Sequence, residues 1–167
     1  MKLYILRHGI ATDRDPRRFT HDSQRPLSPE GIKKTRKIAK ALATLQPEFD
    51  LVLTSPYVRA KQTADMVAEL LGAPAKLRLC DPLAPGGKPR ELIAELRHLC
   101  QDDSRVLLVG HEPDLSRLAS LLISGRPDAD LTLKKAGLCV LDTGELVAGR
   151  CASLNLLLTP KIMLRTR

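Results

Sequence analysis

The chain predicts an α/β fold, a three-layer α/β/α sandwich on a mostly parallel central sheet with an antiparallel hairpin at one C-terminal edge. Three observations carry this. Continuous apolar runs recur at residues 3–6, 51–53 and 106–109, as strands do when helices cover both faces and no side chain has to meet water. Each run leads to a helix start marked by proline, at Ser28-Pro29-Glu30, Ser55-Pro56 and Glu112-Pro113, because proline suits the first helical position. Two further apolar segments, 136–142 and 146–158, flank Asp142-Thr-Gly-Glu and form the hairpin.

At 167 residues the chain suits one domain over 1–167, large enough to bury a core without staples. Aromatic residues are 2% with no tryptophan, so the core is aliphatic and the composition argues against a base-stacking platform for single-stranded nucleic acid. No apolar run approaches membrane-spanning length and the N-terminus enters a strand directly, which gives an expectation of a cytoplasmic protein without membrane contact. Cys80, Cys100, Cys139 and Cys151 are too widely spaced for zinc or Cys-x-x-Cys redox chemistry. They are expected to pack as small hydrophobes in a reducing compartment. None has an arginine six positions on, which argues against a cysteine phosphatase. A formal charge of +8 and a pI of about 9.6 favour anionic partners. No nucleic-acid module is recognisable, so no specific nucleic acid is expected.

In order, Leu3 to Leu6 form a buried strand that ends in Arg7-His8-Gly9, placing Arg7 and His8 at the carboxyl edge where open α/β sheets bind ligands. Gly9, lacking a Cβ, lets the backbone turn tightly or lets an anion approach. Residues 10–27 are polar, with Arg14, Arg17, Arg18 and Arg25 offset by Asp13, Asp15 and Asp22. This long loop beside a site is expected to be a lid or rim. Ser28 then caps a helix with Ile32, Ala39, Leu42 and Ala43 inward. Its Lys33, Lys34, Arg36, Lys37 and Lys40 form a solvated face or, as the lesser reading, guide a negatively charged protein.

The second strand, 50–55, opens a helix at Ser55-Pro56 that closes at Gly72 and carries Arg59 in its first turn. A guanidinium there joins the helix N-terminus in favouring an anion. Residues 76–80 form a short third strand, and 81–89 a Pro/Gly loop without P-loop spacing. Residues 90–100 form a helix on Leu92, Ile93, Leu96 and Leu99, with His98 solvated. Residues 105–109 then repeat the grammar of the first strand, ending in Gly110-His111-Glu112-Pro113 before a helix that stops at Gly125. The basic tail from Pro160 to Arg167 has no assigned role. Two histidines and two arginines at the ends of buried elements point at one crevice and at phosphate chemistry, a joint pattern far more specific than its parts.

With R-H-G at Arg7 to Gly9, R-P-L-S-P-E-G at Arg25 to Gly31, S-P-Y-V-R-A-K-Q-T-A at Ser55 to Ala64 and V-G-H-E-P at Val109 to Pro113, the whole chain resembles the histidine phosphatase superfamily. It is most similar to the small bacterial SixA-type phosphohistidine phosphatase branch. The resemblance implies a phosphoglycerate-mutase-like fold and a covalent mechanism that uses no metal or other cofactor. In it His8 is the nucleophile, and Arg7, Arg59 and a protonated His111 bind the phosphoryl oxygens. Arg25 and Gly9 complete the phosphate pocket.

Larger relatives that cleave phosphate monoesters place an acid near mid-chain. Here the candidates are Asp81, Glu91 and Glu95, of which only Asp81 falls at a strand end. The expected substrate is a phosphohistidine-containing protein, a phosphotransfer or phosphocarrier domain in signal transduction, with inorganic phosphate released by a monomer. Its imidazole leaves at a pKa of roughly 6 to 7 and needs little acid help. Two alternatives stay open: a small-molecule phosphomonoesterase with Asp81 as acid, and a non-catalytic basic module that holds phosphate.

Overall fold

The computed structural model describes residues 1–45 and 48–165. In chain order its elements are β1 (Lys2–Arg7), α1 (Pro29–Thr44), β2 (Leu51–Thr54), α2 (Val58–Leu70), β3 (Leu77–Leu79), α3 (Pro89–Leu99), β4 (Arg105–Gly110), α4 (Asp114–Ser124), β5 (Leu138–Thr143), β6 (Ala152–Leu158) and α5 (Pro160–Met163). The sheet order is β3-β2-β4-β1-β5-β6. β3, β2, β4 and β1 run parallel, and the β5–β6 hairpin is added antiparallel beside β1. The expected α/β class, mixed sheet and edge hairpin are all present.

The continuous apolar runs have a simple cause. Leu3 and Ile5 of β1 and Val106 and Leu108 of β4 face one core with Leu92, Leu96, Leu118 and Leu122 of α3 and α4. Leu6, Leu107 and Val109 face the other, with Ile38 and Leu42 of α1 and Ala64 and Val67 of α2. Side chains alternate across the sheet while both faces are dry, so every position is apolar. Each such leucine contributes about 2 kcal/mol by burial.

Several boundaries differ from expectation. In α1 the buried stripe is Gly31, Thr35, Ile38, Ala39 and Leu42; Ile32 and Ala43 are only half-buried. α2 starts at Val58, not at Pro56, because the Ser55 hydroxyl accepts from the Tyr57 amide and holds one more extended residue. β3 is three residues long and sits between 3-10 turns at Pro74–Lys76 and Asp81–Leu83. The second hairpin strand begins at Ala152, after an irregular turn, not at residue 146.

The loop 10–27 contains a 3-10 turn, Asp22–Gln24, and an Ala11–Leu27 bridge. The tail turns into α5, whose Met163 is buried in the α1–α2 core; residues 166 and 167 lie outside the described residues. All four cysteines are free. Burial pushes the Cys80 and Cys139 thiols up to about 12, which keeps them protonated and unreactive; Cys100 and Cys151 are only half-buried. Among the described residues no helix is long and apolar enough to cross a membrane.

Candidate active site

The site lies at the carboxyl ends of three neighbouring strands, β2, β4 and β1. The parallel ladder continues one residue past the strands: the His8 amide donates to the Gly110 carbonyl at 3.1 Å and the Ser55 amide to the Val109 carbonyl at 2.9 Å. His8, Ser55 and His111 therefore emerge side by side from a rigid edge. The two imidazoles stand 4.9 Å apart between centroids, tilted by 53°. His8, His111 and Arg59 are 6%, 3% and 4% exposed.

His8 Nδ1 is 2.6 Å from the Gly9 carbonyl oxygen. A carbonyl only accepts, so Nδ1 carries the hydrogen and the neutral ring keeps its free lone pair on Nε2. Burial, with the charges of Arg59, Arg7 and Lys135, lowers the His8 pKa to about 4 against the Gly9 hydrogen bond that raises it, so the ring is neutral near pH 7. Arg59 Nε donates to His8 Nε2 at 3.3 Å. A fixed cation thus stands at the atom that carries the lone pair.

His111 differs. Its Nε2 is 2.9 Å from the Ser55 hydroxyl, a group that can donate or accept, and its Nδ1 is buried with no partner among the described residues. Burial first, then His8 and Arg59, brings its pKa down to about 3. Surrounded by protein groups alone, His111 is therefore neutral near pH 7, whereas the expected protonated form belongs to a site that holds an anion. An adjacent dianion would supply the charge needed to protonate it.

Arg7 is half-buried; its Nη1 donates to the Leu133 carbonyl at 2.9 Å and its Nε is buried without a partner among the described residues. The remaining Arg59 nitrogens clasp Asp22, Nη1 on its carbonyl and Nη2 on its Oδ2, both at 2.8 Å. Arg25 joins the same carboxylate, Nε to Oδ1 at 3.2 Å, and Arg14 approaches it at 3.5 Å. Burial alone would raise the Asp22 carboxyl, but the Arg59 hydrogen bond and the three arginine charges hold it below its ordinary value. The loop thus carries an anchor for Arg59, and Arg25 reaches the cluster through Asp22.

Two expectations change. The Gly9 amide donates to Thr63 Oγ1 at 3.1 Å, and a Cβ on Gly9 would lie 2.3 Å from Thr35 Oγ1. Its missing side chain makes room for α1, and its amide is already engaged. Asp81 is exposed in the turn after β3, and among the described residues no hydrogen bond or ion pair joins it to the histidines. Glu91 pairs with Lys88 and Glu95 accepts from the Cys80 thiol, so neither serves the site.

Sequence reasoning missed Glu112. This half-buried carboxyl follows His111, is raised above its ordinary pKa by burial, and feels the Arg7 charge. The Ser116 hydroxyl donates to it at 2.7 Å. Its position directly after a strand-end histidine was the available signal. Among the described residues no group of three or more His, Cys, Asp or Glu side chains is arranged to hold a metal ion.

A family model described as the histidine phosphatase superfamily, branch 1, matches residues 3–81. The phosphohistidine phosphatase SixA of Escherichia coli is 31% identical over 85% of this chain and 86% of its own length. An uncharacterised protein of Picosynechococcus is 38% identical over 98% of this chain and 99% of that one. Among solved structures, the protein histidine phosphatase SixA complexed with tungstate superposes with a TM-score of 0.83 at 27% identity, covering 96% of this chain and 98% of that one.

Proposed function

The chain belongs to the histidine phosphatase superfamily, and from that footing we propose that it hydrolyses the P–N bond of phosphorylated histidine on a protein. The observation that carries the mechanism is the fixed tautomer of His8: the Gly9 carbonyl holds the hydrogen on Nδ1 and Arg59 Nε faces Nε2. In the first step His8 Nε2 attacks phosphorus, the Nε2–P bond forms, and the P–N bond to the leaving imidazole breaks as that ring takes up a proton from solvent. In the second, water attacks phosphorus, a P–O bond forms as the Nε2–P bond breaks, the water's proton leaves to solvent, and phosphate departs from the regenerated His8. Imidazole as nucleophile splits one displacement into two easier ones.

The transition state spreads charge over three equatorial oxygens, so positioning and electrostatics carry the catalysis. Arg59, Arg7 and His111 are the donors suited to that charge; Arg7 Nε and His111 Nδ1 have no hydrogen-bond partner among the described residues. His111 takes up a proton as the dianion arrives. The similarity to SixA supports a phosphohistidine protein as substrate. The test is phosphate release from a phosphohistidine domain beside a panel of phosphomonoesters. Selective release from the domain supports the reading, and turnover of the esters alone contradicts it.

One observation favours a second reading, a phosphomonoesterase. Glu112, with its raised pKa and its place beside His111, is a better acid for an alkoxide leaving group than Asp81. Glu112→Gln should then impair ester hydrolysis and spare P–N cleavage.

A further inference from the structure

Beside Arg7 the surface opens into a groove of about 590 Å³ lined by Arg7, Ile10, Lys34, Lys134, Thr159 and Lys161, with Lys135 and Pro160 completing it. Its lysines come from three places in the chain, α1, the turn before β5 and the start of α5. The turn is fastened to the active-site strand end: the Ala136 amide donates to the Arg7 and His8 carbonyls, each at 3.1 Å, and the Gly137 amide to the Lys134 carbonyl at 2.7 Å. Ala136 closes it at φ 59°, a left-handed conformation unfavourable for alanine. A backbone tied in this way holds Lys134 and Lys135 at a fixed place beside the phosphoryl site. Among the described residues none of the four lysines forms an ion pair, so their charges are not already neutralised by a neighbouring carboxylate.

Ile10, Pro160 and the lysine stems give the groove an apolar floor under a cationic rim. A small anion would be held by buried donors, but Lys134, Lys135 and Lys161 are exposed. The combination fits a polypeptide that has apolar side chains on one face and carboxylates on the flanks.

We propose that this groove docks an acidic amphipathic segment of the phosphoprotein, with its apolar face on Ile10 and the lysine stems and its carboxylates on Lys34, Lys134 and Lys161, delivering the phosphorylated histidine to Arg7 and His8. The inference rests on a protein being the substrate and adds how that protein is chosen. It predicts that the groove governs capture of the protein and is irrelevant to small phosphoramidates.

The experiment compares wild type with the K34E/K134E/K161E variant on two substrates, a phosphorylated histidine-phosphotransfer domain with an acidic surface around its histidine, and phosphoramidate. The expected result is a rise of about tenfold or more in KM for the domain, with its kcat and phosphoramidate turnover unchanged, and a loss of the wild-type advantage at about 0.5 M salt. An unchanged KM for the domain, or equal losses on both substrates, would overturn the proposal. If wild type fails on the phosphodomain, the substrate reading falls. The groove is then decided by NMR titration of the isotope-labelled enzyme with the unphosphorylated domain. Salt-sensitive shifts at Lys34, Lys134 and Lys161 support docking; their absence, or shifts produced only by an oligonucleotide, overturns it.

Discussion

The ends of β1 and β4 carry the same short phrase, an apolar strand, a glycine and a histidine, yet they hold their histidines differently. His8 is pinned by a carbonyl, which leaves Nε2 one role, that of a lone pair facing Arg59. His111 is held by a hydroxyl, which accepts either proton arrangement, and its Nδ1 has no partner among the described residues. A partner that only accepts makes a nucleophile; a partner that both donates and accepts leaves a ring free to change protonation as charge develops nearby. In the proposed mechanism two similar motifs on adjacent strands take distinct chemical parts, and the difference lies in one hydrogen bond each.

The largest effect should come from exchanging the parts. His8→Ala is expected to lower turnover by at least about a thousandfold, because it removes the Nε2 lone pair that Arg59 faces. His111→Ala, which removes one charge-stabilising donor, should cost about a hundredfold. Phosphate-release kinetics on both variants measure the gap, and equal losses would erase the distinction.

Next comes the support for Arg59. Asp22→Asn removes the carboxylate that holds Nη2 and should lower kcat/KM about tenfold through misplacement of the guanidinium. Steady-state kinetics on the phosphohistidine substrate provide the check. Asp22 was visible in the sequence only as a charge offsetting arginines in a polar loop. Nothing in spacing reveals that a loop carboxylate folds back onto a helix 37 residues away. The four strand-end and first-turn residues were legible because buried strands and proline-marked helix starts announce where the carboxyl edge lies. The fold was legible for the same reason: two dry sheet faces demand unbroken apolar runs. What sequence could not supply were contacts between elements, such as the Thr35 hydroxyl that explains Gly9 and the burial that keeps His111 neutral.

A smaller and shared effect concerns pH. Burial lowers the His8 and His111 pKa values from 6.5 to about 4 and about 3. Between those values and 6.5 the unfolded chain binds more protons than the folded one, so stability is complete above about pH 6.5 and is lost as pH falls through about 4 for His8 and about 3 for His111. Thermal unfolding should show a Tm that drops over that window, and His8→Asn should flatten the drop. In the free protein His8 stays neutral down to about pH 4, so in the proposed mechanism protonation of free His8 should not limit phosphoenzyme formation between about pH 4 and 6.5.

The smallest difference separates the two glycines. Gly9→Ala sets a Cβ 2.3 Å from Thr35 Oγ1, whereas at Gly110 the nearest atom is Leu115 Cδ2 at 3.1 Å. Urea unfolding should show a loss of about 2 kcal/mol for the first and about 1 kcal/mol for the second; the reverse order would place the tighter packing at the wrong strand end.

The most direct test is to find the phosphorylated atom. Phosphoenzyme trapped from a phosphoramidate donor and analysed by phosphorus NMR and peptide mass spectrometry should carry phosphate on His8 at Nε2, in wild type and in His111→Ala, and none in His8→Ala. Phosphate on His111, on His8 Nδ1, or full turnover without a trapped phosphohistidine would contradict the assignment of the two histidines.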